Sequence, residues 1–102
     1  MKLEFLQQGD VLFFKEPNLP DGAQRLDHTV IAQGESTGHA HVAEAERATC
    51  YDFGGVMFVV VDDEATVTHQ EHGATTLLPG VWRVARVQEF DPFAKVIRDV
   101  AD

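Results

Sequence analysis

Hydrophobic residues occur along this chain in short runs rich in valine, phenylalanine, isoleucine and threonine, separated by turn-forming residues. The breaks recur at intervals of roughly ten residues, as expected for short strands joined by tight turns. Gly9-Asp10, Gly54-Gly55 and Pro79-Gly80 are the clearest of them. The pattern predicts a mainly β fold, either a small barrel or a rolled antiparallel sheet of about six to eight short strands.

Alternation of apolar and polar residues is sharpest in residues 65–69, where Ala65 and Val67 would share one face of a strand and two threonines the other. Residues 56–61 are apolar and mostly β-branched, which favours a central strand. The predicted strands are residues 11–14, 29–32, 41–45, 56–61, 65–69 and 81–87.

The periodicity changes near the C terminus. Asp91 is suited to cap a helix, and Pro92 is suited to its first turn. Apolar residues then recur at helical spacing, at positions 93, 96, 97 and 100. We therefore expect one short helix over about residues 92–101, with an apolar face that packs on the β domain or on a partner chain. Because no linker or repeat interrupts the sequence, residues 1–102 are expected to form a single β domain.

Charge and composition narrow the classes of function. The chain has 102 residues, with 17 acidic and 8 basic side chains and a net charge of −9. This balance disfavours nucleic acid and anionic membrane surfaces as partners, and it suits a divalent cation or a cationic partner. The apolar runs are too short to span a bilayer. With a single cysteine and no recognisable signal peptide, a cytoplasmic location is expected.

Four of the five histidines lie in two compact clusters. His39 and His41 are two positions apart, so an extended backbone would place both rings on one face. His69 ends a predicted strand, and His72 follows it within a turn. Imidazole is a common ligand of transition metals. If the two pairs come from neighbouring strands, the four histidines predict a site for a divalent transition metal, zinc or iron.

Two carboxylates lie beside these clusters in the sequence. Glu35 or Glu71 would act as a further ligand, as a group that orients a ligand, or as a general base. A site built without cysteine more often keeps a position open for water or substrate than a closed structural zinc site does. A reaction on a small-molecule ligand would use the metal as a Lewis acid or to activate water. The sequence leaves open whether the protein is an enzyme.

Other interpretations of the histidines remain open. Without metal they could form a proton relay or a pH-sensitive surface. They could also stabilise turns in a non-catalytic interaction module, in which exposed strand edges and the helix face would favour a homo-oligomer. A nucleophilic site based on Ser36 or Cys50 is disfavoured, since the sequence has no nucleophile elbow. His28 lies outside both clusters and is expected to be structural or exposed.

Several segments together resemble a family of small uncharacterised proteins of bacteria and their phages. The matching segments are Gln8-Gly-Asp-Val11, Gly34-Glu-Ser-Thr-Gly-His-Ala-His41, His69-Gln-Glu-His72, Leu78-Pro-Gly80 with Trp82, and Val87-Gln-Glu-Phe-Asp-Pro92 with the short terminal helix. The pattern Gly-Glu-x-Thr-Gly-His-x-His is the most specific of them. The resemblance implies a shared site but no named reaction. The first histidine cluster also partly resembles the first metal motif of cupins, but no histidine follows Pro79-Gly80 as the second cupin motif requires.

Overall fold

Two antiparallel β-sheets make up the computed structural model, which describes residues 5–33 and 39–86. The first sheet has six strands in the order β1 (Phe5–Gln8), β2 (Val11–Glu16), β10 (Gly80–Arg86), β7 (Val56–Val61), β6 (Ala48–Phe53) and β3 (Gln24–Arg25). The second has four strands in the order β4 (Val30–Gln33), β5 (Ala40–Ala43), β8 (Ala65–Thr68) and β9 (Thr75–Leu77).

The prediction of a mainly β fold is confirmed, but the prediction of a barrel is wrong. The sheets are separate and open, because β10 pairs with β2 and β7 while β5 pairs with β4 and β8. Ten strands are present in the described residues, more than the six to eight expected. All of the predicted strands occur: residues 56–61 form a strand with the predicted ends, and the other five have shifted ends. Two of the additional strands lie at sheet edges: β3 is polar and has two residues, and β1 has two apolar residues followed by two glutamines, so hydrophobic periodicity reveals neither.

The helix predicted over residues 92–101 lies outside the described residues. Residues 5–33 and 39–86 contain no helix that is long and apolar enough to cross a membrane.

The hydrophobic core lies between the two sheets. Phe13 and Trp82 reach it from the six-stranded sheet, and Val67 and Leu77 reach it from the four-stranded sheet. The alternation predicted for β8 is confirmed, since Ala65 and Val67 are completely buried whereas Thr68 is exposed. Apolar burial of this kind is the main source of the domain's stability.

The hairpin between β6 and β7 fixes the register of the central strands. Gly54 and Gly55 have φ angles of 59° and 88°, which a two-residue turn between antiparallel strands requires. Phe53 consequently pairs with Val56, and Cys50 pairs with Val59 further along the ladder. This register places β7 between β6 and β10, in agreement with the central position predicted for residues 56–61.

Cys50 is fully buried in β6. Burial raises the pKa of its thiol to about 11. Such a thiol is protonated at neutral pH, and only the thiolate is a strong nucleophile. The structure therefore gives no support to nucleophilic catalysis by Cys50.

Candidate functional site: an imidazole cluster

The four histidines of the two sequence clusters lie together at one end of the four-stranded sheet; we call them the imidazole cluster. The ring centroid of His41 is 4.3 Å from that of His69 and 6.0 Å from that of His72. The rings of His69 and His72 are 4.6 Å apart, and those of His39 and His69 are 5.7 Å apart. The pairs meet because β5 and β8 are neighbours in the sheet.

His41 is the buried member of the cluster, with only 2% of its surface exposed, and its ring has a polar partner on each side. Its Nδ1 lies 2.7 Å from Oε1 of Gln8. The side-chain amide of Gln8 donates to the carbonyl oxygens of Val67 at 2.8 Å and Gly73 at 2.9 Å. Those two bonds fix the orientation of the amide, so Oε1 is the atom that faces His41 and accepts. The proton of a neutral His41 ring is therefore on Nδ1, and Nε2 keeps a lone pair.

Asp10 approaches the other nitrogen of His41 from the turn between β1 and β2. Its Oδ1 lies 3.4 Å from His41 Nε2, and its Oδ2 accepts from Arg86 Nη2 at 3.1 Å and from Nε at 3.2 Å. Burial alone would raise the pKa of Asp10, but the charge and hydrogen bonds of Arg86 lower it below its ordinary value. An ionised carboxylate thus lies beside Nε2 of His41, where it can accept a hydrogen bond whenever that nitrogen carries a proton.

Two opposing influences set the protonation of His41. Burial, together with the charge that a protonated His69 would carry, lowers the pKa of His41 below its ordinary value, whereas Asp10 acts to raise it. The lowering influences are the stronger. His41 is consequently neutral at pH 7, with Nε2 able to accept a proton or to coordinate a metal ion.

His69 has a different local role. Its Nδ1 accepts hydrogen bonds from the backbone N–H groups of Glu71 at 3.0 Å and His72 at 3.3 Å, which closes the turn after β8. The proton of a neutral His69 is then on Nε2. A metal-bound histidine normally donates through one ring nitrogen and coordinates through the other. In this conformation His69 does not fit a ligand role.

The remaining predicted site residues lie at the rim. His39 Nδ1 is 3.2 Å from Glu71 Oε1, and their side chains are 30% and 63% exposed. Next to this pair, the backbone N–H of Ala40 donates to Gln70 Oε1 at 2.9 Å, which ties the start of β5 to the turn. Glu71 therefore adjoins the cluster as expected, whereas Glu35 lies outside the described residues.

A metal ion would require some of these rings to rotate. Within the two described ranges, no three histidine, cysteine, aspartate or glutamate side chains converge in a way that could hold a metal ion. His41 presents a suitably prepared nitrogen, but His69 uses its Nδ1 for the turn. The predicted ligand set of His39, His41, His69 and His72 remains a prediction.

Gly9 allows the β1–β2 turn to pass directly beneath His72. Its φ angle is +57°, and a Cβ atom at this position would overlap the His72 imidazole.

His28, by contrast, lies away from the cluster and accepts from the backbone N–H of Val30 at 3.2 Å, in agreement with the structural or exposed role expected.

We expect Gly9→Ala to lower the free energy of unfolding by about 2 kcal/mol or more, since a left-handed non-glycine residue costs roughly 1–2 kcal/mol before any clash. Urea unfolding monitored by circular dichroism measures this loss. Gly54→Ala is the matched control, because Gly54 has a φ angle of +59° and no atom within 4 Å of the added Cβ. Equal losses in the two variants would mean that the approach of His72 is unimportant.

Sequence reasoning missed three residues of this site: Gln8, Asp10 and Arg86. The segment containing Gln8 and Asp10 stood out as a turn followed by a strand and as part of the family resemblance, but neither residue was assigned to the site. Its polar side chains carried no signal that they face histidines more than 30 residues away in the sequence. Burial is the property that distinguishes Gln8 from an ordinary surface glutamine, and burial cannot be seen in the sequence.

These observations define an open two-sheet β domain whose one end carries an imidazole cluster backed by a buried glutamine and an ion-paired aspartate. The chain belongs to the family described as a domain of unknown function, DUF8820, whose model matches residues 7–87. The match confirms membership of an uncharacterised family and includes every residue of the cluster. No curated protein and no solved structure matches the sequence.

Proposed function

We propose that the imidazole cluster binds one divalent transition-metal ion, zinc or iron, with His41 as the anchoring ligand. The observation that carries the proposal is the preset ring of His41, since Gln8 accepts from Nδ1 and leaves Nε2 to coordinate. Metal-binding histidines are characteristically held in this way by a group behind the ring. Asp10 supplies a carboxylate near the same nitrogen.

The spacing of the rings supports the same proposal. Imidazoles that share one ion at a metal–nitrogen distance of about 2 Å have ring centroids roughly 5 Å apart. The centroid distances between His41, His69 and His72 are 4.3, 4.6 and 6.0 Å, which bracket that value. Rotation of side chains, with release of His69 Nδ1 from its two turn hydrogen bonds, would therefore bring nitrogen atoms towards a common point.

The surroundings suit a cation and a small ligand. The net charge of −9 attracts divalent cations electrostatically. A shallow cavity of about 230 Å³ adjoins the cluster, lined by Ala40, Val42, Thr68, His69 and Gln70. A metal with an open position at this edge would act as a Lewis acid or activate water. Glu71, beside His39, is the proposed general base for such a reaction.

Metal-free protein is expected to bind about one equivalent of zinc per chain, with an affinity lowered by roughly 10-fold or more in His41→Ala. Isothermal titration with zinc, and elemental analysis of untagged protein, measure these quantities. His28→Ala is the control, because His28 lies outside the cluster and should leave affinity unchanged. The proposal would be overturned if the protein bound neither zinc nor iron, or if His41→Ala and His28→Ala lost equal zinc affinity.

A second function is favoured by the hydrogen bonds of His69. They support the proposal of a non-catalytic module in which histidines stabilise turns. His69→Asn keeps a side-chain acceptor that suits such a turn. If the turn role is the whole function, this variant should retain the melting temperature of the wild type and neither protein should bind metal. Zinc binding by the wild-type protein would reject this alternative.

A further inference from the structure

The six-stranded sheet carries an apolar face on the side away from the core; we call it the outer face. The register places Phe5, Phe14, Val81, Val60, Val56 and Phe53 on this side, drawn from five adjacent strands. Their neighbours along each strand, such as Phe13, Trp82 and Val59, point into the core. A sheet that is apolar on both sides is typical of sheets covered on both sides.

The outward side of the four-stranded sheet differs. There Thr66, Thr68 and Thr76 face away from the core beside Val30 and Val42, so this side is mixed and carries no aromatic residue in the described strands. On the outer face of the six-stranded sheet, Phe5 on β1 is 48% exposed and Phe53 on β6 is 43% exposed, whereas Phe58 between them is covered by its neighbours. Large contiguous apolar patches are uncommon on monomeric proteins and generally mark an interaction surface.

The charges of the outer face favour a second copy of the chain as its occupant. Arg83 Nε donates to Glu16 Oε1 at 2.9 Å, and its guanidinium lies 4.7 Å from the centre of the Phe14 ring. This ion pair neutralises the centre of the face, whereas the whole chain carries −9. Two molecules of such high like charge associate most readily through a surface on which the charges cancel.

The dimensions of the face point to the same occupant. Five strands of four to seven residues each, about 4.8 Å apart, present a footprint of roughly 24 × 18 Å. A single helix, about 10 Å wide, would cover only two of these strands. The footprint exceeds 400 Å² before side-chain relief is included, close to the roughly 500 Å² a side that a specific interface needs.

From these features we infer that the protein forms a two-fold symmetric dimer in which the outer faces of two copies pack against each other. The contact is isologous, so each copy contributes the same residues. Val60 and Val81 are directly opposite one another on β7 and β10 and lie at the centre of the interface. The imidazole clusters lie at a different part of the molecule, so dimerisation does not depend on metal.

Sedimentation equilibrium of the full chain over a roughly hundredfold concentration range tests this inference. The wild-type protein should dimerise, and Val60→Lys should raise the dissociation constant at least tenfold, the effect typical of a charge placed at an interface centre. Thr76→Lys is the control, because it adds the same charge to the exposed outward side of the other sheet. Phe53→Lys, at a more exposed position, replaces Val60→Lys if circular dichroism reports that the latter is unfolded.

Three results would overturn the inference. A wild-type chain that stays monomeric at every concentration would assign the outer face to another part of the chain or to a different protein. A dimer that survives both outer-face variants would use another surface. Equal weakening by Thr76→Lys would mean that added positive charge, and not loss of the apolar contact, is responsible.

Discussion

Replacing Gln8 with leucine is expected to lower the free energy of unfolding by roughly 3 kcal/mol, because buried polar groups left without partners cost about 1–3 kcal/mol each. The variant would remove the partners of the Val67 and Gly73 carbonyl groups and of the Nδ1–H group of His41. Leucine nearly preserves the volume, so the loss would come from the hydrogen bonds. Chemical denaturation of the metal-free protein measures it.

Gln7→Leu is the matched control for this prediction. Gln7 is the neighbouring residue on β1, but it is exposed and its amide donates to Gly9 at the surface. Its replacement should change stability by less than about 0.5 kcal/mol. A similar small change in Gln8→Leu would mean that water replaces the buried amide.

The same variant should alter the imidazole of His41. In the wild-type protein, nitrogen-15 NMR is expected to find the neutral ring with its proton on Nδ1, since Gln8 accepts there. Without that acceptor, the Nε2–H form becomes favourable because Asp10 can accept from it. Zinc affinity should fall roughly 10- to 100-fold as the ring loses its orientation. An unchanged tautomer in Gln8→Leu would contradict the role given to Gln8.

The largest loss of stability is expected for Trp82→Ala, about 3–5 kcal/mol, as found for truncation of buried aromatic residues. Trp82 is 2% exposed, and its indole Nε1 donates to the Leu78 carbonyl group at 2.9 Å. The Lys15 ammonium group also lies 5.1 Å from the ring centre. Because domains of this size are stable by only about 5–15 kcal/mol, the variant would populate unfolded protein under mild denaturing conditions.

Trp82→Phe separates the contributions of packing and hydrogen bonding. It keeps most of the apolar contact but loses the Leu78 hydrogen bond. We therefore expect its free energy of unfolding to be about 1–2 kcal/mol below that of the wild type. Thermal unfolding of the three proteins gives the comparison. If the free energy of unfolding of Trp82→Ala were within about 1 kcal/mol of that of the wild type, the ring could not be central to the core.

Local sequence patterns were sufficient to predict several elements of this fold. Residues 65–68 alternate between core and surface, and a glycine pair between apolar runs marks the β6–β7 hairpin. These features depend on neighbours in sequence, where period and turn chemistry are informative. The distinction between a barrel and two open sheets depends on long-range pairing, such as β10 with β2, which no local pattern specifies.

The candidate site could likewise be predicted from the sequence only in part. The sequence is sufficient to predict that imidazoles at alternate positions of an extended segment lie on one face. It is also sufficient to predict that His69 and His72 lie close together within one turn. Their meeting depends on the pairing of Val42 with Thr68, more than 20 residues apart. The roles of Gln8 and Asp10 depend further on contacts with another sheet. Polar residues in a short edge strand and its turn look like ordinary surface residues until those contacts are known.

The burial of Cys50 has a practical consequence for work on this protein. Its thiol is inaccessible and its pKa is raised to about 11, so it should not react with maleimides at neutral pH while the domain is folded. A cysteine introduced at an exposed position such as Thr76 would then be the sole reactive thiol. Fluorescent or spin labels could therefore be attached to the folded protein at chosen sites without first removing the native cysteine.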